Sequence, residues 1–306
     1  MIRTLALVIC ILFVSLPITA QPPKAPAYSV GNIDLPAELN KQVCISGMSY
    51  YNNQLYLASE RCPSIFIFDP VKKQITGSIP FQVSQEFEME GMTSYKDKLY
   101  LVSEDVAALY ELNMSNGSIR TVKTSIPMPP KTKNGDGMEG IAANEKNQKF
   151  YFLRERNEDM TKSQFYTFNV KAGTEKGELT LEYESMFELP LDNPQWRYSD
   201  IVIDPKNNRL LLLKSYSKGK MRQQYLESIS IDADGNLKPE TLHNIPVDNF
   251  TEASNQYKDL DYSMNLEGIS LAADGTIYII SDNTSGKALC DKPAKEKTVL
   301  LVLKKK

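Results

Sequence analysis

The stretch that decides the fold runs from Glu90 to Glu104 and reads EGMTSYKDKLYLVSE. An acidic residue and a glycine open this stretch, a polar turn at Lys96-Asp97 divides it, and a second acidic residue closes it. This order of features indicates two antiparallel strands joined by a tight turn. The same pattern occurs four more times in the chain, and these copies begin at Ser46, Glu139, Ser199 and Glu267.

The five copies begin about 45–70 residues apart, a period that is typical of β-propellers and other repeat architectures. A strand that ends in proline precedes each copy, and a third apolar strand, such as Ala107–Asn113, follows each copy. No segment shows helical periodicity over three turns. Each repeat therefore predicts one sheet of four strands.

The two ends of the repeat region predict how the sheets are joined. A proline-ended strand, Tyr28–Leu35, precedes the first copy, and the third strand of the last copy, Thr298–Leu303, has no fourth strand after it. In a ring, the N-terminal strand would complete the last sheet as its outermost member, and closure would leave no open sheet ends. The sequence therefore predicts an all-β fold, a five-bladed β-propeller closed by the N-terminal strand. Because the fourth and fifth intervals are long, a six-bladed propeller is the alternative.

The N-terminal residues predict export. A basic residue, Arg3, precedes an apolar run over residues 5–17, and small residues around Ala20 offer a cleavage point, as in a secretory signal. Residues 1–20 are interpreted as the signal, 21–27 as a proline-rich linker and 28–306 as a single propeller domain. An uncleaved anchor is the alternative for the signal. No other stretch is apolar enough to span a bilayer, so we expect a periplasmic or secreted protein without a membrane span after cleavage.

The charge balance argues against nucleic acid as a partner. The 306 residues include 35 lysines and arginines and 38 aspartates and glutamates, a formal net charge of −3. No basic patch is visible, and the three lysines at the C-terminus are typical of a solvated tail. We therefore expect a monomeric protein that binds no nucleic acid.

Cysteine usage predicts one disulfide in an oxidising compartment. Removal of the signal leaves Cys44, Cys62 and Cys290. We favour the pair Cys44–Cys62, because a turn at Asn52-Asn53 would bring the two residues nearly opposite each other. The alternative pair is Cys62–Cys290, because closure of a ring would place those two loops side by side.

Both acidic positions of the repeat are predicted to lie on one face of the ring, around the central channel. The first acid begins the innermost strand, and the second ends the neighbouring strand, which runs back to the same face. The intervening glycine suits an axis where strands converge, because a Cβ atom would clash there. The first positions hold Ser46, Glu90, Glu139, Ser199 and Glu267, with Asp200 one residue further on. The second positions hold Glu60, Glu104, Glu155, Ser215 and Asp282.

A ring of carboxylates needs compensation by protons, basic side chains or a hard cation. Ca²⁺ suits such a funnel, because it takes about six to eight oxygen ligands in irregular geometry. Zinc has little support in the sequence, because the only histidine is His243 and the cysteines are scattered. The predicted calcium ligands are Glu90, Glu139, Asp200 and Glu267.

Basic residues alternate with the second acids, which predicts a small anionic ligand or substrate such as a phosphoester. The predicted substrate-binding residues are Glu60, Arg61, Glu104, Arg154, Glu155, Arg156, Lys214 and Asp282. No G-x-S-x-G motif is present, and His243 is predicted to lie on an outer strand. Hydrolysis would therefore use metal-activated water with an acid that takes the proton. The candidate catalytic residues are Glu139, Glu155 and Arg154.

Two motifs carry a family resemblance: Glu90-Gly91-Met92 with its strand up to Glu104, and Glu267-Gly268-Ile269 with its strand up to Asp282. They resemble two bacterial propeller families, the phytase-like family ("esterase-like activity of phytase") and the SdiA-regulated family. The first resemblance implies an exported, calcium-binding propeller that hydrolyses an anionic ester or phosphoester. The second implies a non-catalytic periplasmic ligand-binding or scaffold propeller. The fourth repeat departs from the shared pattern at Ser199, Asp200 and Ser215.

Overall fold

The computed structural model describes residues 27–40, 44–60, 62–83, 88–173, 177–219, 221–252, 262–283 and 296–306. The predicted signal, nearly all of the linker, Arg61 and Cys290 lie outside these ranges. In the described ranges no helix has the length and apolar character that a bilayer crossing requires.

Five sheets form the molecule, each of them a blade with one inner strand and several outer ones. Blade 1 contains β2 (Ile45–Tyr51), β3 (Gln54–Ser59), β4 (Ser64–Asp69) and β5 (Gln74–Pro80). Blade 2 contains β6 (Met89–Tyr95), β7 (Lys98–Ser103), β8 (Ala108–Asn113) and β9 (Ile119–Thr121). Blade 3 contains β11 (Met138–Asn144), β12 (Lys149–Arg154), β13 (Lys162–Ala172), β14 (Leu179–Pro190) and, at its edge, β10 (Lys123–Thr124).

The last two blades complete the ring. Blade 4 contains β15 (Trp196–Asp204), β16 (Arg209–Lys218), β17 (Met221–Ile231) and β18 (Leu237–Ile245). Blade 5 contains β20 (Asn265–Leu271), β21 (Ile277–Asp282), β22 (Leu300–Lys305), β1 (Tyr28–Ile33) and β19 (Val247–Asp248). A short helix, α1 (Ala37–Asn40), connects β1 to blade 1. The prediction of five blades is confirmed, and the six-bladed alternative is wrong.

The N-terminal strand closes the ring as predicted. β1 pairs antiparallel with β22, with Tyr28 opposite Lys305 and Ile33 opposite Leu300. The predicted outermost place of β1 is wrong, because β19 pairs parallel with its outer edge at Tyr28 and Ser29. The chain that enters blade 5 thus covers an edge that would otherwise stay open.

The five inner strands surround the axis, and each contacts the next, with β20 in contact with β2. Crowding at the axis is tight: a Cβ atom on Gly91 would lie 2.5 Å from the carbonyl oxygen of Glu139 on the neighbouring blade. Apolar side chains fill the wedges between blades. Between blades 2 and 3, the ring of Phe150 lies 5.2 Å from that of Tyr95 and 5.0 Å from that of Tyr100, and all three are buried.

The predicted tight turns join the inner strands to their neighbours. Asn52 and Asn53 have φ angles of 47° and 62°, and Lys96 and Asp97 have φ angles of 46° and 56°. Two consecutive left-handed residues are the requirement of a two-residue hairpin turn that matches the strand twist. These turns lie at the end of each blade opposite to the acidic positions.

A β-bulge interrupts every inner strand at its first acidic position. In blade 3, Met138 pairs with Arg154 and Gly140 pairs with Leu153, so Glu139 is the extra residue. Equivalent register shifts occur at Ser46, Glu90, Ser199 and Glu267. A bulge leaves its extra residue out of the ladder and re-aims its side chain. The repeat therefore places five side chains around one axis by the same local device.

Candidate functional site

Carboxylates from four of the five blades meet at one end of the central channel. The charges of Glu60, Glu104, Glu267 and Asp282 all act on Glu90. Those of Glu104, Glu90, Glu155 and Glu267 act on Glu139. We call this end the acidic mouth, and its acids are Glu60, Glu90, Glu104, Glu139, Glu155, Glu267 and Asp282. The structure therefore brings together every acid predicted from the two repeat positions.

Glu90 and Glu139 are the accessible acids of the mouth. Both side chains are partly exposed, and neither makes a hydrogen bond or an ion pair with another residue that the structure describes. Burial around their carboxyl groups raises both pKa values well above the ordinary range, and the neighbouring acids raise them further. Two adjacent carboxylates without a partner among the described residues are the part of the mouth that is best suited to take up a proton or a cation.

Glu104 lies between these two acids and is held by Lys131. The Lys131 Nζ lies 2.7 Å from Glu104 Oε2, and it also pairs with Glu88 and Asp105. Burial raises the pKa of Glu104 to about 7, although Lys131 acts in the opposite direction. One oxygen each from Glu88, Glu90 and Glu104 lies within 4.8 Å of the other two, a spacing that fits one shared cation.

Blade 4 supplies a guanidinium group where its repeat lacks both acids. The Ser199 hydroxyl donates to the Leu266 carbonyl at 2.9 Å, and the Ser215 hydroxyl donates to Gln224 Oε1 at 2.7 Å. Arg197 enters the space that the missing acids leave. Its Nη1 donates to Glu155 Oε1 at 2.8 Å, and its Nη2 contacts one oxygen of Glu267 and Asn265 Oδ1.

The two acids that Arg197 contacts have pKa values shifted in opposite directions. Burial acts to raise the pKa of Glu155, but Arg197 and Arg156 outweigh it and hold the pKa below its ordinary value. Burial raises the pKa of Glu267 to about 8, with Arg197 again opposing. Asp136 is hydrogen-bonded to Glu155, and burial together with this bond raises its pKa to about 6. Arg156 Nη2 lies 2.6 Å from Asp136 Oδ1.

A third position of the repeat, two residues before the first acid, also faces the mouth. Its occupants differ in every blade and are Cys44, Glu88, Gly137, Arg197 and Asn265. Gly137 leaves room for a neighbour, since a Cβ atom there would lie 2.2 Å from Glu104 Cγ. Sequence reasoning missed this position, and with it Arg197, because no residue type recurs there. Alignment of the five repeats on the acid would have revealed the spacing.

Two predicted residues, Arg154 and Lys214, make structural contacts in place of the mouth contacts expected of them. Arg154 Nη2 donates to the Pro130 carbonyl at 2.8 Å, and Nη1 donates to Gln164 Oε1 at 3.1 Å. Lys214 Nζ lies 5.2 Å from the ring centroid of Trp196 and 3.5 Å from Glu227 Oε1. Both basic groups are engaged in these contacts, so neither is free to bind a substrate. The predicted contact residue Arg61 lies outside the described residues.

Asp200 occupies the glycine position of the fourth repeat, on the axis itself. Its Oδ1 accepts the N–H of Ile201 at 2.8 Å, and its Oδ2 accepts the N–H of Ile269 at 2.8 Å. The side chain is buried, and burial raises its pKa well above the ordinary value. Both oxygens already accept hydrogen bonds from backbone N–H groups, one in blade 4 and one in blade 5. Asp200, which was predicted to be a metal ligand, therefore connects two inner strands.

The favoured disulfide prediction is wrong. Cys62 is disulfide-bonded, whereas Cys44 carries a buried thiol that is not part of a disulfide. Cys62 belongs to the apolar core cluster that contains Leu39 and Ile45, whereas the sulfur of Cys44 lies beside the carboxylates of Glu60 and Asp282. The alternative partner, Cys290, lies outside the described residues.

Comparison with known proteins identifies a family that matches this chain. A sequence model of the phytase-like family, described as esterase-like activity of phytase, matches residues 47–284. The chain belongs to the phytase-like family. The match begins at the first repeat's glycine and includes the acids of the mouth. No curated protein matches this phytase-like chain by sequence.

This family member is also similar to several solved structures. The glutaminyl cyclase of Myxococcus xanthus is 13% identical, with 92% of this chain and 100% of that chain covered and a TM-score of 0.50. The aldose sugar dehydrogenase of Streptomyces coelicolor is 12% identical, with coverages of 92% and 100% and a TM-score of 0.47. A luciferin-regenerating enzyme is 11% identical, with coverages of 90% and 95% and a TM-score of 0.45. At such identities the likeness concerns the fold alone.

Proposed function

We propose that this phytase-like propeller binds Ca²⁺ in its acidic mouth and hydrolyses a small anionic ester, such as a phosphoester, beside the ion. The observation that carries the proposal is the pair Glu90 and Glu139. These carboxylates lie on adjacent inner strands, reach solvent, and have no partner among the described residues. Acids kept in that state destabilise the mouth unless something positive binds there.

The donor set fits calcium. Glu88, Glu90 and Glu104 would hold the ion, because one oxygen of each lies within 4.8 Å of the other two, and the neighbouring Glu139 would complete the set. All four offer hard oxygen atoms, and the open mouth leaves room for water and for a substrate oxygen. When bound, Ca²⁺ would neutralise these acids and polarise an oxygen of the ester.

Glu155 and Asp136 would carry the proton transfers. Glu155 is ionised at neutral pH, because Arg197 and Arg156 hold its pKa low, so it can accept a proton from the attacking water. Asp136, with a pKa of about 6, can donate a proton to the leaving alcohol oxygen. The hydrogen bond between the two carboxyl groups then lets the proton on Glu155 pass to Asp136, which restores both groups.

Arg197 and Arg156 would meet the anionic part of the substrate. Their side chains are 19% and 18% exposed, so an edge of each guanidinium group reaches the mouth. The acids outnumber the basic groups that contact them, and an anion therefore enters only after a cation has reduced the negative charge. Because the cation has to bind first, we expect both substrate binding and turnover to depend on calcium.

Export forms part of the proposal. Residues 1–20 have the pattern of a secretory signal, and free Ca²⁺ is plentiful in the periplasm and outside the cell. Mass spectrometry of the protein recovered from a cell envelope fraction should show a mature chain that begins after Ala20. Recovery of the full-length chain from the cytoplasm would contradict export.

The experiment is turnover of p-nitrophenyl phosphate and p-nitrophenyl acetate by the purified mature protein, with calcium and then with chelator. We expect turnover that chelator removes and that falls at least about tenfold in Glu139→Gln and in Glu155→Gln. Glu240→Gln is the matched control, because Glu240 is an exposed glutamate on the outer strand β18. Turnover that is unchanged by chelator and by both mouth variants would overturn the proposal.

A second candidate function, ligand binding without catalysis, has one observation in its favour. Among the described residues, the hydroxyl of Ser228 lies 3.2 Å from the imidazole of His243. Both residues lie on the outer strands of blade 4. The mouth therefore offers no serine–histidine nucleophile within that part of the chain. Calcium binding that raises the melting temperature, together with no turnover of either ester, would favour this second function.

A further inference from the structure

A thiol and two carboxylates meet where blade 1 adjoins blade 5. One sulfur from Cys44 and one oxygen each from Glu60 and Asp282 lie within 4.8 Å of one another. The three side chains are 5%, 7% and 7% exposed, so the cluster is buried. The backbone fixes it in place: the N–H of Glu60 donates to the Cys44 carbonyl at 2.8 Å, and Asp282 ends the strand β21.

A second observation at the same junction points to a missing ligand. Glu267 is 8% exposed, and its buried Oε2 has no hydrogen-bond partner within the described ranges of the chain. Its other oxygen contacts Arg197. After Glu155, the carboxylates whose charges raise the pKa of Glu267 most are those of Asp282 and Glu60. A buried oxygen without a partner normally reflects an ion or a water that completes it.

The repeat places a thiol at this junction in the position where blade 4 has a guanidinium group. Cys44 occupies the same repeat position as Arg197, two residues before the first acid. Arg197 contacts an acid of the preceding blade, Glu155, and an acid of the next blade, Glu267. Cys44 likewise lies beside an acid of the preceding blade, Asp282, and its sulfur offers a metal ligand at the position where Arg197 offers a charge.

We propose that Cys44, Glu60 and Asp282, with Glu267 beside them, form a second cation site for a divalent ion that accepts sulfur, such as Zn²⁺ or Fe²⁺. A thiolate with carboxylates suits these ions, whereas Ca²⁺ takes oxygen ligands. The ion replaces the thiol proton, which is released to solvent. This site goes beyond the proposed function and does not depend on it. The proposal also revises the expectation that zinc has little support, which was based on the scattered cysteines and the single histidine.

Cobalt titration of the purified, metal-free mature protein tests the proposal. Co²⁺ serves as the probe, because its bond to a thiolate produces an ultraviolet charge-transfer absorption. We expect this absorption to saturate at one Co²⁺ per chain and to disappear when Zn²⁺ is added. Cys44→Ser should abolish the absorption, and both Cys44→Ser and Glu60→Gln should weaken Zn²⁺ binding at least about tenfold by calorimetry.

Two controls separate this site from the calcium site. Glu90→Gln should keep the cobalt absorption, and Cys44→Ser should keep the calcium affinity of the unaltered protein. Circular dichroism establishes whether each variant is folded. If Cys44→Ser does not fold, Glu60→Gln takes its place as the test of the site. Absence of the cobalt absorption in the unaltered protein overturns the proposal. Its persistence in Cys44→Ser, or Zn²⁺ affinity that neither variant changes, overturns it as well.

Discussion

At the scale of single residues, Arg197 links the acids of two blades. It contacts Glu155 of blade 3 and Glu267 of blade 5, and its side chain is only 19% exposed. Two of the buried acids are therefore paired with a residue that the repeat pattern does not specify. Removal of one partner from a buried ion pair leaves an uncompensated charge and is strongly destabilising.

The substitution Arg197→Met should lower the free energy of unfolding at pH 7 by about 3 kcal/mol, because Glu267 loses the guanidinium group it contacts and Glu155 keeps only Arg156. Urea unfolding in chelator measures this loss. Lys162→Met is the matched control, since Lys162 forms an exposed pair with Glu188 at 2.6 Å and should lose less than about 1 kcal/mol. An Arg197→Met protein as stable as this control would contradict the assigned role of Arg197.

At the scale of elements, each inner strand depends on a bulge, and four of the five also have a glycine at the axis. Gly91 shows how little space remains, because a Cβ atom there would lie 2.5 Å from a backbone oxygen of the next blade. Backbone cannot move aside as a flexible side chain can. The ring of inner strands therefore sets how closely the acids approach one another.

Gly91→Ala should destabilise the protein by about 1–3 kcal/mol, because the added methyl group forces neighbouring inner strands apart. Gly31→Ala is the control on strand β1, where a Cβ atom would lie 3.9 Å from its nearest neighbour. The control should change stability by less than about 1 kcal/mol. Thermal or urea unfolding compares the two, and equal stabilities would contradict tight packing at the axis.

The sequence predicts elements of this kind well and their local irregularities poorly. The hairpin turns follow from residue pairs such as Asn52-Asn53, which tolerate positive φ, and the strands follow from apolar runs between them. The acids of the mouth follow from repetition. The bulge at Glu139 and the place of Cys44 depend on register and on which wall of the mouth a side chain faces. Those properties arise only when neighbouring blades pack together, and no single repeat encodes them.

At the scale of the whole molecule, closure of the ring concentrates acidic groups that the unfolded chain keeps apart. Burial raises the pKa values of Asp136, Glu104 and Glu267 to about 6, 7 and 8, against ordinary values of 3.8, 4.5 and 4.5. Between pH 5 and 8 the folded protein therefore keeps protons that the unfolded chain has released. Folding in this window takes up protons, so a rise in pH favours the unfolded chain.

The free energy of unfolding in chelator should consequently fall by about 1–3 kcal/mol as the pH rises from about 5 to 8. Urea unfolding at several pH values measures this dependence. Added calcium should reduce the fall, because a cation replaces protons as the partner of the acids. Stability that rises over the same range in chelator would contradict the buried, protonated mouth.

Calcium titration of the metal-free mature protein by calorimetry tests the central claim most directly, namely that ring closure makes Glu90 and Glu139 parts of one cation site. The account predicts saturable binding that weakens at least about tenfold in Glu90→Gln and in Glu139→Gln, with Glu240→Gln unchanged. Absence of calcium binding, or binding of equal strength in all four proteins, would contradict it.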